Sequence, residues 1–481
     1  YYIMKIHHIL SLAALLSMPA AAQELQTSYF LNSSVNRHEM NPAMLDHSYV
    51  SMPLFFGNVN VGTTGNVGLK KFVYQMDPSW QGYNLNGGNN LTTFMHPNVD
   101  ANKFLGGLKD KNRISANIKY QIFGFAFNAF HGMNVIELNM RSNTNIALPK
   151  TLFEFAKTAG AKEDYNISNL GIRTENFAEL ALGHSHKIND KITVGGKMKF
   201  LFGLAYADVT AKNVDLHLSE DVWTIKGDVR AKASLMDTEI ELSDKTEPVQ
   251  NVPAGQTPRH RVHGLDDFKA GLSGFGLAFD LGATYQVYED LKVSAAVTDL
   301  GFINWKNTHQ ASSTGSWEFD GFDEDIYAGS NRTETNEIGD QFEALGDDLG
   351  DIFAVYYDGK KSESRALAAN INVGAEYTLP YYRNLTFGFF YNSHIAGCHS
   401  YHSGTFSANV APAKWFDASL SLGFTSTGVT GGLVGSLHAK HFNIFVGTDR
   451  FFGKLSKQGI PLNRANSNIS LGISFPLNAK L

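Results

Sequence analysis

Segments of roughly nine to fifteen residues in which apolar side chains alternate with small or polar ones recur along this chain. In 467–475, Ile469, Leu471, Ile473 and Phe475 share one face, and Ser470, Gly472 and Ser474 share the other. Successive side chains of a strand point to opposite faces, so alternation with period two predicts strands. In 114–122 the apolar set is Ile114, Ala116, Ile118, Tyr120 and Ile122, set against Ser115, Asn117, Lys119 and Gln121. In 192–206 it is Ile192, Val194, Met198, Phe200, Phe202, Leu204 and Tyr206, with Lys197 and Lys199 inward. In 275–287 Phe275, Leu277, Phe279, Leu281, Tyr285 and Val287 oppose Asp280, Thr284 and Gln286. Segments 369–377, 384–392, 417–424 and 441–447 follow the same rule. A face of oil backed by small polar groups suits a strand with lipid outside and a lumen inside.

The connections between these segments are of two lengths. Tight turns fall at His131–Met133, Ile188–Lys191, Tyr288–Asp290, Pro380–Arg383, Pro412–Lys414 and near Lys440. Long ones cover about 67–112, 147–175, 207–273 and 306–367. Outer-membrane barrels have short periplasmic turns and long external loops. Placing the tight turns in the periplasm, with a first strand near 49–66 and a last near 467–477, gives an all-β transmembrane antiparallel barrel of about 14 strands. That count holds if 207–273 is one external excursion. If Asn213–Leu218 and Trp223–Ala233 cross the membrane instead, the count becomes 16. Closure follows because lipid satisfies no backbone group, so every edge must be paired.

The start of the chain supports that address. Residues 4–22 carry Lys5, an apolar run and Ala20-Ala21-Ala22, the pattern of a secretory signal with cleavage before Gln23. Removing residues 1–22 from the 481-residue chain leaves 459, more than one soluble core usually sustains. A barrel resolves this, and 45 Gly with 34 Phe and 19 Tyr fit its wall and girdles. A net charge of −6 argues against a nucleic-acid partner, and a single cysteine, Cys398, excludes an internal disulfide. Residues 23–48 lack alternation and are expected to tuck into the periplasmic mouth as a hatch, leaving 49–481 as the barrel with its external loops.

Several stretches carry a family resemblance. His38-Glu39-Met40-Asn41-Pro42-Ala43, then Met52-Pro53, resembles the start of an uncharacterised family of Gram-negative outer-membrane proteins. Val194–Gly203 is similar to that family's lysine-bearing strand, Val297–Trp305 to its Asp-Leu-Gly strand end, and Phe319–Phe322 with Leu345–Phe353 to its loop. More distantly, Asn41-Pro42-Ala43 is similar to the plug region of fatty-acid transporters of the FadL type and of PorV-type barrels. The resemblance implies a barrel of about 14 strands with an N-terminal hatch. It implies no substrate, because shared fold is not shared function.

Candidate chemistry is sparse. Pro42 fixes a bend and keeps Asn41 out of the helical region, where the Asn41 side chain can bond nearby backbone. Asn41, Pro42 and Ala43 therefore form either a moving hatch or a static docking turn. Lys119, Lys197, Lys199, Asp280 and Glu376, together with Glu137 and Arg141, fall on inward faces as lumen-lining candidates, to shape selectivity or to pair and fill the space. Asp299 is read as ending an inward face beside Trp305, an interfacial anchor. Between Trp317 and Asp351 stand twelve acidic residues against Arg332, read as a solvated, cation-bridged loop with a short helix over Glu337–Tyr356. His394, Cys398, His399 and His402 share one loop, but nothing in their spacing fixes a metal geometry, and no metal or cofactor is expected. His184 and His186 alternate with Ser185, so they cannot form a triad, and no nucleophile elbow appears, so no enzyme is expected.

The sequence thus predicts an outer-membrane barrel for passive transport of a small hydrophobic or amphipathic solute. The alternative is an adaptor that holds a surface or secreted protein at loops 207–273 and 306–367. The expected partners are outer-membrane lipid and either a small apolar ligand or such a protein.

Overall fold

A computed structural model describes residues 24–477 except 53–57, 82, 84–89, 159–160, 220–221, 237, 248, 250–251, 253, 267–270, 314, 320–353, 427 and 451–465. The expected signal over 4–22, its cleavage site and nearly all of the acidic loop lie outside the described residues.

Fourteen antiparallel strands form one closed sheet. They are β1 (Tyr49–Ser51 and Val59–Gly65), β2 (Lys111–Ala129), β3 (Gly132–Pro149), β4 (Leu170–Lys187), β5 (Ile192–Leu218), β6 (Gly274–Tyr288) and β7 (Leu291–Ser313). The second half is β8 (Tyr356–Ala366 and Ala369–Thr378), β9 (Leu385–Ile395), β10 (Tyr401–Ala413), β11 (Phe416–Thr425), β12 (Gly428–His438), β13 (Asn443–Thr448) and β14 (Ser467–Pro476). Closure is made by β1, which pairs with β2 (Val59 opposite Tyr120) and with β14 (Val59 opposite Leu471). First and last strands run antiparallel, which requires an even number.

The choice between 14 and 16 is decided along β5. Its lower edge is taken by β6, from Tyr285 opposite Ile192 to Gly274 opposite Gly203. Above that point the same edge is taken by Trp223–Leu235, with Leu235 opposite Ala205 and Trp223 opposite Leu218. Trp223–Leu235 also meets the upper end of β7, Val229 opposite Ser313. It therefore extends the wall beyond the membrane and does not cross it. A core of Ile167, Val214, Leu216, Ile225 and Val229 holds this extension together. A second external core joins helix α1 (Ala101–Gly106) to α2 (Lys150–Thr158) through Phe104 and Phe153.

Alternation sets the two faces as expected. In β14, Ile469 is 49% exposed and Ser470 is 1% exposed. Phe279, Leu281, Phe406, Leu420 and Leu433 likewise stand outward, as a lipid-facing belt requires. Bulges break the alternation, and two of them move expected residues. Opposite β4, the register passes from Asn176–Ala205 to Phe177–Gly203, leaving Leu204 as an extra residue. That extra residue reverses the phase, so Tyr206, expected on the lipid face, is fully buried inside and stacks on Trp305 with ring centres 5.3 Å apart. In β7 the register to β6 passes from Val297–Leu281 to Leu300–Phe279. Asp299, at φ 61°, lies in that bulge and donates its N–H to Asp280 Oδ1 at 2.7 Å. Asp299 and Trp305 are therefore interior residues, and the interfacial-anchor reading is corrected.

Candidate functional site

The N-terminal segment 24–48 lies inside the barrel, folded as three short 3-10 turns, Gln26–Ser28, Val35–Glu39 and Pro42–Met44. Asn41 has extended backbone and caps the third turn: its Oδ1 accepts from the Ala43 N–H at 3.0 Å, and Pro42 needs no donor there. The Asn41 Nδ2 donates to Tyr29 Oη at 3.2 Å and to the Ala283 carbonyl of β6 at 3.3 Å. The wall is cut away to admit this turn. A Cβ on Gly282 would stand 2.1 Å from Asn41 Oδ1, and one on Gly195 would stand 2.3 Å from the Pro42 carbonyl carbon.

Charge holds the second turn. Glu39 Oε2 lies 2.7 Å from Lys119 Nζ on β2 and 3.3 Å from Lys197 Nζ on β5. Lys119 also reaches Glu24 at 2.9 Å, and Lys197 reaches Glu137 of β3 at 2.8 Å. Burial alone would raise the Glu39 pKa, but the Lys119 and Lys197 ammoniums hold it well below the usual carboxylate range. Burial, with the Lys197 charge beside it, pushes His38 well below its ordinary value of 6.5. The imidazole is therefore neutral, its Nε2 2.9 Å from Tyr49 Oη.

A second group of charges closes the wall above this level. Lys199 Nζ lies 2.7 Å from both Asp280 and Asp299. Arg141 takes Asp299 through two bonds of 2.8 and 3.0 Å and Glu179 through one of 2.9 Å. Two of the expected lumen-lining residues, Lys119 and Lys197, are thus brought to the segment. Lys199 and Asp280 join the wall's own network. Glu376 stands apart, paired with Lys292 at 2.6 Å near the turn end.

The first turn is held differently. The backbone N–H groups of Gln26 and Thr27 donate to Asp449 at 3.0 and 2.8 Å, and Thr27 Oγ1 donates to it at 2.6 Å. Tyr29, Phe30, Met40 and Met44 pack on the inward Phe390 of β9. Leu25 and Leu31 pack on Val434, with Phe445 against them. Thr27, Tyr29, Glu24, Glu179 and Asp449 were not expected. Glu24, Thr27 and Tyr29 lie in a segment with no periodicity to expose them, although the inward glycines were a visible signal of close approach.

Among the described residues, two cavities flank the segment. On the loop side one of about 100 Å³ is lined by Glu24, Glu39, Met40, Asn117, Asn143 and Asn392, among others. On the turn side one of about 620 Å³ lies between Phe30, Leu31 and Val35 and the ends of β9–β13. The candidate loop histidines do not converge: His394 bonds Asn370 at 2.8 Å, His402 bonds Tyr391 on the outer wall at 3.0 Å, and His399 reaches Ser115 at 3.3 Å. His184 and His186 stack on the outer face, while Ser185 points inward to the Ala43 carbonyl at 3.3 Å.

A closed 14-strand sheet with an apolar belt outside and a filled polar lumen defines an outer-membrane β-barrel. Within that class the chain belongs to a family of unknown function, DUF5723, whose model matches residues 42–449. No curated protein matches the chain. Among solved structures it is similar to the toluene transporter TbuX of Ralstonia pickettii, at 10% identity, TM-score 0.41, with 92% of this chain and 93% of that one covered. It is also similar to the toluene transporter TodX of P. putida (8%, 0.40, 91% and 92%) and to a FadL homologue of Pseudomonas aeruginosa (8%, 0.39, 94% and 94%). At these identities and TM-scores the likeness speaks to no site and no solute.

Proposed function

We propose that this protein lets a small amphipathic solute pass the outer membrane, and that residues 24–46 are the plug that must shift to admit it. The observation that carries the reading is the layer between the two cavities. Tyr29, Phe30 and Met40 of the segment, packed on Phe390 of the wall, form an apolar floor under a polar chamber. Below them the turn-side cavity opens among Phe30, Leu31 and Val35. A solute with one polar and one apolar part matches this succession better than a hydrocarbon does.

A disulfide lock tests it. A Cβ on Gly432 would lie 3.1 Å from Thr27 Cβ, and a small outward shift reaches the roughly 3.5–4.5 Å of a disulfide. Thr27→Cys with Gly432→Cys, in a Cys398→Ser background, is reconstituted into liposomes and assayed by swelling in uncharged alcohols and glycosides. The expected result is passage by the reduced protein, a large loss on oxidation and recovery with reductant. Equal rates in the two redox states would remove the plug from the mechanism. Rates no faster than protein-free liposomes for both wild type and reduced protein would end the transport reading.

A further inference from the structure

We infer that the loop-side cavity is a binding site for an uncharged, hydroxyl-rich group, a polyol or one sugar ring, read by side-chain amides. The inference rests on the transport reading for its purpose but on the cavity for its evidence.

The cations of the cavity are already engaged. Of its lining residues, Lys119 is held by Glu24 and Glu39, Lys199 by Asp280 and Asp299, and Arg141 by Glu179 and Asp299. A ligand carboxylate would have to displace a buried ion pair, leaving a charge uncompensated. Glu175, which lines the same space, adds repulsion toward any anion.

The free capacity belongs to amides. Asn117 and Asn143 stand side by side on β2 and β3, facing the cavity, and among the described residues neither side chain has a hydrogen-bond partner. Asn392 of β9 is 5% exposed, and its Oδ1 is an acceptor with no donor. A buried acceptor left unmade is costly, so a hydroxyl that fills it gains disproportionately. Amides offer both donor and acceptor, which is what vicinal hydroxyls need. The Met40 and Phe390 floor can take the apolar C–H face of the same group.

The site is also wired to the plug. Asn392 Nδ2 donates to Asn372 Oδ1 at 2.8 Å, and Asn372 Nδ2 donates to the Met40 carbonyl at 2.7 Å, one residue before Asn41. A hydroxyl docking on Asn392 therefore acts two hydrogen bonds away from the capped turn.

Saturation-transfer NMR with methyl β-D-glucoside on the full-length barrel in detergent tests this, with butyrate as the charged comparison. The expected result is glucoside binding, absent for butyrate, and weakened at least tenfold by Asn392→Leu and by Asn143→Leu. Heat-modifiable migration shows that each variant is folded, and Asn143 has no link to the plug. No glucoside signal, equal butyrate binding, or unchanged affinity in both variants overturns the inference. Liposome flux separates the two ideas. Binding without flux sinks transport and keeps the site; flux of the glucoside without amide-dependent binding does the reverse.

Discussion

The two halves of the barrel hold the same segment by opposite means. On the side of β2–β7 the inner wall is charged, with Lys119, Glu137, Arg141, Glu179, Lys197, Lys199, Asp280 and Asp299 all buried or nearly so. There the segment presents His38 and Glu39 and is locked by ion pairs from Glu39 to Lys119 and Lys197. On the side of β9–β14 the wall is small and hydroxylic: Ser403, Thr405 and Ser407 on β10, Ser419 and Ser421 on β11, Ser436 on β12. There the segment presents Leu25, Phe30 and Leu31 to packing, and Gln26 and Thr27 to neutral hydrogen bonds with Ser403, Thr405 and Ser421, with Asp449 and Asp417 as its charged partners. Removing a partner from a buried ion pair costs several kcal/mol, whereas packing contacts can slide at small cost. The large turn-side cavity lies on the hydroxylic side. On the proposed transport reading, a charged half that anchors and a smooth half that yields would let the segment swing without leaving the lumen.

Breaking the charged wall should have the largest effect. Arg141→Met removes the ion-pair partner of Glu179, which is fully buried and keeps only the Asn139 amide, and leaves Asp299 to Lys199 alone. A cost of about 3–5 kcal/mol is expected, read as a lower urea midpoint for the folded barrel in lipid vesicles. An unchanged midpoint would mean that these charges are hydrated and that the halves do not differ in this way.

Crowding the smooth half should do less to the barrel and more to the segment. Gly388 faces inward on β9, and a Cβ there would stand 2.1 Å from the Phe30 ring. Gly388→Val is expected to cost about 1–3 kcal/mol of overpacking. Because contact here is by packing and mostly neutral hydrogen bonds, the loss should appear as faster protease cleavage within 24–46, with the barrel's urea midpoint little changed. If instead the midpoint falls as far as in Arg141→Met, the smooth half is as rigid as the charged one.

How much of this was legible in the chain depends on what alternation can carry. Strand faces, tight turns and the inward position of Lys119, Lys197, Lys199 and Asp280 follow from period two. That signal is local, and a bulge defeats it. The single extra residue at Leu204 turned Tyr206 from lipid to lumen, and the bulge at Asp299, which sets that inward acid against Lys199 and Arg141, left no mark in the alternation. The partners of the inward charges were illegible for another reason. Glu24 and Glu39 lie in a segment without repeat, and their distance in sequence from Lys119 and Lys197 gives no clue to contact. Gly195, Gly282 and Gly388 were legible only as holes in the alternation, although a hole on an inward face means that something approaches closely. The 14-strand count was legible because parity constrains it, once Trp223–Leu235 is read as standing above the membrane.

The smallest effect expected is one of pH, and it belongs to the charged half. His38 is kept neutral in the docked segment, well below the value of 6.5 it would have in water. The undocked segment therefore binds a proton that the docked one refuses. Docking is fully favoured above about pH 6.5 and weakens as pH falls below it, by no more than about 1.4 kcal/mol per pH unit. Glu39, held low by Lys119 and Lys197, acts in the same direction but further down, its contribution lost only as pH falls from its ordinary 4.5 toward its depressed value. Protease cleavage within 24–46 should accordingly quicken between pH 6.5 and 5.5 in the wild type. In His38→Gln, which has no titrating ring, that quickening should be largely lost. A wild-type rate that is flat from 6.5 to 5.5 would show that the segment can take up the proton without moving.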